Sequence, residues 1–152
     1  MKIAIGSDHA GFPYKQPVIA YLQSRQIEVI DFGTTSQAST DYPLYAFKVG
    51  EAVRDQVADL GILICGTGIG MSIAANKVRG VRAGACQSDF AATAMREHNN
   101  ANVLCLGSRT NTIEEVLGFV RRFLDSAFSQ GERHQRRIAM IHSYEEEGQW
   151  EK

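Results

Sequence analysis

The sequence predicts an α/β fold: a three-layer αβα sandwich around a five-stranded parallel sheet, Rossmann-like, with an extra C-terminal helix. Three observations predict it. Five short apolar runs, rich in Ile and Val, fall at residues 3–5, 27–32, 60–65, 81–86 and 102–106, the pattern of strands buried on both faces. Longer segments with helical spacing separate them, and such alternation implies a parallel sheet with right-handed crossovers. The length of 152 residues, with no internal repeat and no linker, suits a single domain over 1–152.

The elements follow in order. The N-terminus, Met-Lys-Ile-Ala-Ile-Gly, lacks the design of a signal peptide and reads as the first strand. A helix near 13–25 places Val18, Ile19 and Leu22 on one face. After the second strand, a helix near 42–57 does the same with Tyr45, Val49, Ala52 and Val53. The third strand runs into Gly66, Gly68 and Gly70, and a helix follows near 70–78. The fourth strand leads to a helix near 88–98. The fifth leads to one near 112–128, where Val116, Phe119, Val120 and Phe123 form an i, i+3, i+4, i+7 stripe. Gly131 breaks that helix from a last one ending near Glu147, and the polar tail 148–152 frays.

Composition excludes several classes of function. Hydrophobic residues at 44% and charged residues at 22% are ordinary for a globular chain and argue against extended disorder. A net charge of −1 argues against binding nucleic acid by bulk charge. No apolar run reaches the roughly 18 residues of a membrane span. Cys65, Cys86 and Cys105 form no C-x-x-C pair, so a zinc site, a thioredoxin-like site and a disulfide framework are all disfavoured, and reduced thiols in a cytoplasmic protein are expected. Five arginines lie between Arg121 and Arg137, which points to a discrete anion as ligand.

Most of the chemistry-bearing residues gather at strand ends, where open α/β sheets place their ligand crevice, apart from His98, which lies one helix end away. Gly66, Gly68 and Gly70 let the backbone approach a ligand and present N–H groups just before a helix start, suited to a phosphate or a developing oxyanion. The plainer alternative is a tight strand-to-helix turn. The order G-x-G-x-G-Met71 is not a dinucleotide fingerprint, and no P-loop is present. Cys65 precedes this turn, where a thiolate is favoured; it reads equally well as a small buried hydrophobe. Cys86 and Cys105 lie inside apolar runs and read as core. His9 and His98 are candidates for proton transfer near neutral pH, and Asp8 for accepting hydrogen bonds from a sugar hydroxyl or orienting His9. Arg133 and Arg137 share a helical face with His134 close by, a donor set suited to phosphate. The alternative is a solvated face with Glu132 paired to Arg136.

Several motifs then carry a resemblance. Gly6-Ser7-Asp8-His9-Ala10-Gly11, Thr40-Asp41-Tyr42-Pro43, Cys65-Gly66-Thr67-Gly68-Ile69-Gly70, Ala74-Ala75-Asn76-Lys77, Gly80-Val81-Arg82-Ala83, His98-Asn99-x-x-Asn102-Val103, Gly107-Ser108-Arg109 and Arg133-His134-x-x-Arg137 together resemble the type B ribose-5-phosphate isomerases. These share a family with the galactose-6-phosphate isomerase subunits. The likeness spans Met1 to about Ile141. It implies aldose–ketose isomerisation, with D-ribose 5-phosphate and D-ribulose 5-phosphate as the expected pair. It implies Cys65 as the base, Thr67 as a relay between the two oxygens and His98 as the group that opens the sugar ring. Some relatives carry Glu where Met71 stands here; Met71 cannot take a proton, so this chain falls with the cysteine-base group. Asp8, His9, Tyr42 and Asn99 resemble sugar contacts. Arg109, Arg133, His134 and Arg137 resemble the phosphate set, and the backbone of Gly66, Gly68, Ile69 and Gly70 the cradle for the enediolate.

The chemistry asks for no metal or redox cofactor. The resemblance further implies a homodimer, or a dimer of dimers, with active sites shared between subunits and with His98, Asn99 and Arg109 supplied by the neighbour. An isomerase of allose or galactose 6-phosphate is the alternative within the family, separated by pocket length. A non-catalytic sugar-phosphate or nucleotide module is the alternative outside it, and such a module would have no need of Cys65 with Thr67.

Overall fold

The computed structural model describes residues 1–150; Glu151 and Lys152, the end of the expected polar tail, lie outside the described residues. Strands β1 (Lys2–Ser7), β2 (Glu28–Asp31), β3 (Leu60–Cys65), β4 (Ala83–Ala85) and β5 (Val103–Gly107) alternate with helices α1 (Phe12–Ser24), α2 (Tyr42–Arg54), α3 (Ile69–Ala75), α4 (Asp89–Glu97) and α5 (Ile113–Asp125). Helix α6 (Glu132–Glu147) closes the chain. All pairings are parallel, and the strand order is β2-β1-β3-β5-β4.

The expected sheet forms, with one correction. Only β1, β3 and β5 are buried on both faces; β2 and β4 are edge strands and remain partly exposed. An apolar run reports a strand, but not whether another strand flanks it on each side. Two cores result. One holds the Val18, Ile19 and Leu22 face of α1 and the Val116, Phe119, Val120 and Phe123 stripe of α5. The other holds α2 and α3 residues with Cys65 and Cys105. Each fully buried side chain of that stripe contributes roughly 1.5–3 kcal/mol. Helix α5 starts on a capping box: Glu115 N–H donates to the Thr112 hydroxyl, and Thr112 N–H donates to the Glu115 carboxylate.

The order of crossovers positions the site. From β1 the chain moves outward to β2, whereas from β3 it moves the opposite way, past β5, to β4. The carboxyl ends of β1 and β3 therefore flank the switch point, where a crevice opens. Helix α6 reaches this body through His134, stacked on His98, and through Glu145, whose carboxylate accepts the Gly80 N–H at 2.9 Å. Of its residues only His134 is buried.

Candidate active site

The switch point brings together the ends of β1, β3 and β5. Asp8 N–H donates to the Ile64 carbonyl (3.2 Å), Ser108 N–H to the Cys65 carbonyl (2.9 Å) and Arg109 N–H to the Gly66 carbonyl (2.9 Å). The Ser108 hydroxyl donates to the Ala10 carbonyl at 2.7 Å. Asp8 is buried, and its Oδ1 accepts the Gly11 N–H at 2.9 Å. This locks the turn that carries His9.

Cys65 ends β3 and is 5% exposed. Its Sγ accepts the N–H of Gly68 at 3.1 Å, and a donor aimed at sulfur suits the anionic form. Gly68 adopts φ +79°, and a Cβ there would lie 3.1 Å from the Cys105 carbonyl. Only glycine turns the chain tightly enough to aim this amide at Sγ. Thr67 Oγ1 accepts from Ile69 N–H (3.2 Å), which leaves the hydroxyl proton free to be given away. The amides of Gly68 and Ile69 are thus engaged, so the cradle expected across the whole Gly66–Gly70 turn narrows to Gly66, Thr67 and Gly70, whose N–H groups find no acceptor among the described residues. A Cβ on Gly70 would come within 2.8 Å of the Tyr42 ring, so glycine is what lets this ring close over the turn. Arg109 reaches over Gly66, its side chain 3.3 Å from where a Cβ would stand.

The remaining expected residues lie elsewhere. Helix α4 starts beyond the end of β4 and returns to the start of β5, which puts His98 and Asn99 at the opposite, amino-terminal rim of the sheet. The Arg82 guanidinium donates to the Asn99 carbonyl there (3.1 Å). Ser129 N–H donates to the Glu97 carbonyl (3.1 Å) and so brings the start of α6 to the same rim. The His98 and His134 rings stack with centroids 4.5 Å apart and planes 9° apart. Arg133 and Arg137 are exposed beside them. The Glu132–Arg136 pair considered above does not form, and among the described residues no carboxylate neutralises Arg133 or Arg137. Desolvation, helped by the charges of His98, Arg133 and Arg137, holds the His134 imidazole below its ordinary range.

One chain thus carries two half-sites: Asp8, His9, Tyr42, Cys65, Thr67 and Arg109 on one rim, and His98, Asn99, Arg133, His134 and Arg137 on the other. The expectation that Arg109 comes with His98 is corrected, because its amide is bonded to Gly66 of its own chain. A strand of five or six residues separates the rims by roughly 17–20 Å. A groove of about 510 Å³ opens near the second rim, walled by Arg82, Met95, Asn99 and Tyr144; it does not reach Cys65. Cys86 and Cys105 are buried core residues, and burial pushes both thiols up. No helix among the described residues is long and apolar enough to cross a membrane.

Two features escaped the sequence. Lys15 is wholly buried, with Nζ 2.8 Å from Asp31 Oδ1 and donating to the Thr34 carbonyl. Its signal was available, since Lys15 lies three, four and seven residues before Val18, Ile19 and Leu22, on the buried stripe of α1. The second feature is a contact between Thr40 and Tyr45, whose hydroxyls are 2.9 Å apart.

Comparison with known proteins gives the family. Residues 3–141 match the model of the family described as Ribose/Galactose Isomerase. The chain is 47% identical to ribose-5-phosphate isomerase B of Escherichia coli, over 95% of this chain and 97% of that protein. It is 46% identical to a putative sugar phosphate isomerase of Bacillus subtilis, over 96% and 98% of the two chains. The solved structure of ribose-5-phosphate isomerase B from Clostridium thermocellum superposes with a TM-score of 0.95 at 46% identity, covering 98% of this chain and all of that one. The Mycoplasma genitalium enzyme, solved with bound ribulose-5-phosphate, superposes with a TM-score of 0.91 at 47% identity, covering 96% and 97%. With fold, strand-end motifs and near full-length likeness in agreement, this chain is a member of the ribose/galactose isomerase family.

Proposed function

We propose that the chain interconverts D-ribose 5-phosphate and D-ribulose 5-phosphate through a cis-enediolate, as an aldose–ketose isomerase acting in the cytoplasm. The observation that carries this reading is the Gly68 amide aimed at Cys65 Sγ at the switch point. Cys65, as thiolate, takes the proton from carbon 2 of the open-chain aldose and returns it to carbon 1. The electron pair of the broken C–H bond becomes the carbon–carbon double bond of the enediolate, and charge moves to oxygen 1. The free amides of Gly66, Thr67 and Gly70 meet that charge as it develops. The Thr67 hydroxyl carries a proton between oxygens 1 and 2. Asp8, His9 and Tyr42 hold the sugar hydroxyls. His98 opens the furanose ring with Asn99 beside it, and Arg109, Arg133, His134 and Arg137 hold the phosphate. Phosphate binding, remote from the reacting carbons, fixes them against Cys65.

A sugar phosphate of five carbons is about half as long as the gap between the rims. One chain therefore cannot close both halves on one molecule, and the reading includes a homodimer in which one copy's His98 rim faces its partner's Cys65 rim. The exposed apolar side chains Ile69 and Ile73 on α3, and Ile141 and Tyr144 on α6, lie beside the two rims and suit such an interface.

Two assays test this. Ribose 5-phosphate turnover by the wild type is expected to vanish in Cys65→Ala with binding retained; equal turnover in both removes Cys65 as the base. Allose and galactose 6-phosphate, run in parallel, report the hexose alternative. For the shared site, inactive Cys65→Ala and His98→Asn chains are mixed and refolded together. Random pairing leaves one intact site in each mixed dimer, so about a quarter of wild-type activity should return. No recovery despite mixed-dimer formation would refute the shared site.

A further inference from the structure

The Thr40-Asp41-Tyr42-Pro43 segment contains a contact that the reaction scheme leaves unused. The backbone N–H of Thr40 donates to Nδ1 of His9 at 3.3 Å. Thr40 immediately precedes Asp41, the N-cap of α2, and its hydroxyl is 2.9 Å from the Tyr45 phenol one turn into that helix. The Tyr45 ring packs over Gly33, 3.1 Å from where a Cβ would stand. The residue 33–34 loop is itself bonded to the end of β1: Ser7 N–H donates to the Gly33 carbonyl (2.6 Å) and Thr34 N–H to the Ser7 carbonyl (2.7 Å). Beneath it, buried Lys15 joins Asp31 to the Thr34 carbonyl. Hydrogen bonds from Thr34 and then Thr40 hold the Tyr45 phenol below its ordinary range, as expected of a hydroxyl caught between donors.

A backbone amide can only donate. The nitrogen that faces it must be an acceptor, and in a neutral imidazole the other nitrogen then carries the proton. We infer that Thr40 and Tyr45 are positioning residues that hold His9 in the tautomer with its proton on Nε2, so that His9 serves the sugar as a hydrogen-bond donor and not as a proton shuttle. The sequence alone offered His9 and His98 alike for proton transfer. The geometry separates them: His9 has one nitrogen tied to the backbone, whereas the His98 ring has its stacked partner in His134.

The kinetic consequence rests on the isomerase reading; the tautomer does not. Nitrogen-15 NMR of the ligand-free wild type near neutral pH should show Nδ1 of His9 unprotonated and Nε2 protonated. A proton on Nδ1 would overturn the inference whatever the enzyme does. In kinetics, Tyr45→Phe frees the Thr40 hydroxyl and loosens the donor. It should lower kcat/KM for ribose 5-phosphate about tenfold in the wild-type background and less than about twofold in a His9→Ala background. An equal loss in both backgrounds means that Tyr45 acts without His9 and sinks the proposal. If the wild type does not turn over ribose 5-phosphate, the isomerase reading fails and the tautomer measurement alone decides this one.

Discussion

Replacing Gly68 by alanine tests the Cys65 turn most directly. The backbone there sits at φ +79°, which costs an L-residue roughly 1–2 kcal/mol. The new methyl would stand 3.1 Å from the carbonyl carbon and oxygen of Cys105 and 3.1 Å from Leu106 N. These are backbone atoms in the central strand pair and cannot rotate away, so overpacking adds roughly 1–3 kcal/mol. The chain can meet this cost by unfolding more readily or by turning the 67–69 peptide. Relaxation of the peptide withdraws the amide from Sγ, and a hydrogen bond to a charged group is worth about 1.5–3 kcal/mol, or tenfold and more in the reactivity of the sulfur. The assay is the iodoacetamide alkylation rate of Cys65 at fixed pH, read beside a urea unfolding curve; Cys86 and Cys105 lie deeper than Cys65, at 1% and 0% against 5% exposure, and serve as slow internal references. Gly68→Ala is expected to lose about 2–4 kcal/mol of stability, to alkylate at least about tenfold more slowly and to lose kcat/KM in proportion. Wild-type alkylation and activity in a folded Gly68→Ala protein would refute the role of that amide.

Other outcomes follow from the same geometry. Gly70→Ala pushes a methyl into the Tyr42 ring; KM for ribose 5-phosphate should rise about tenfold with stability nearly intact, and an unchanged KM would remove Tyr42 from the sugar site. Lys15→Met leaves the Thr34 carbonyl without this donor and Asp31 with only the Gly33 N–H, and should cost about 1–3 kcal/mol in urea denaturation, a loss that a neutral result would contradict. The lowered His134 imidazole means that the folded chain binds fewer protons than the unfolded chain. Its contribution is fully present above the unfolded value of about 6.5 and is lost as pH falls through the window below it. Urea midpoints between about pH 8 and pH 5 should therefore fall less steeply for His134→Phe than for the wild type; parallel curves would count against a desolvated His134.

Much of the fold was legible because short apolar runs and the stripes of α1 and α5 are local patterns: they state which residues are buried before any partner is known. The strand-end residues were legible for the same reason, since a run that stops at Cys65 or Gly107 places the next residues on a rim. What the runs do not state is how far a strand is covered by neighbours. That depends on pairing order, and it is why β2 and β4 turned out as edges. Lys15 was hidden by its chemistry. A lysine on an apolar stripe reads as a fault in the stripe until Asp31 and the Thr34 carbonyl, brought by a different element, complete its bonds.

The same limit governs the site. His98 precedes β5 and Arg109 follows it, one helix end apart in the sequence, yet the resemblance groups both as the neighbour's contribution. Only the path of α4, which returns the chain to the start of β5, puts His98 on the far rim while Arg109 stays at Gly66. A division of donors between two rims has a physical consequence. Among the described residues Arg133 and Arg137 have no acidic partner beside the buried His134, so in the proposed scheme an anion supplies their neutralisation. In the proposed scheme the Cys65 rim supplies the base and the amides for the developing charge but a single arginine. On the proposed reading neither rim performs isomerisation with its own residues, and each holds what the other lacks. Substrate phosphate, bridging Arg109 of one copy and Arg133 and Arg137 of another, would then stabilise the assembly that turns it over, so inorganic phosphate should strengthen subunit association by mass action. The dimer dissociation constant, measured by sedimentation with and without phosphate, is expected to fall, and in Arg137→Ala to fall much less. A dissociation constant indifferent to phosphate would place the anion within one chain and undo the division.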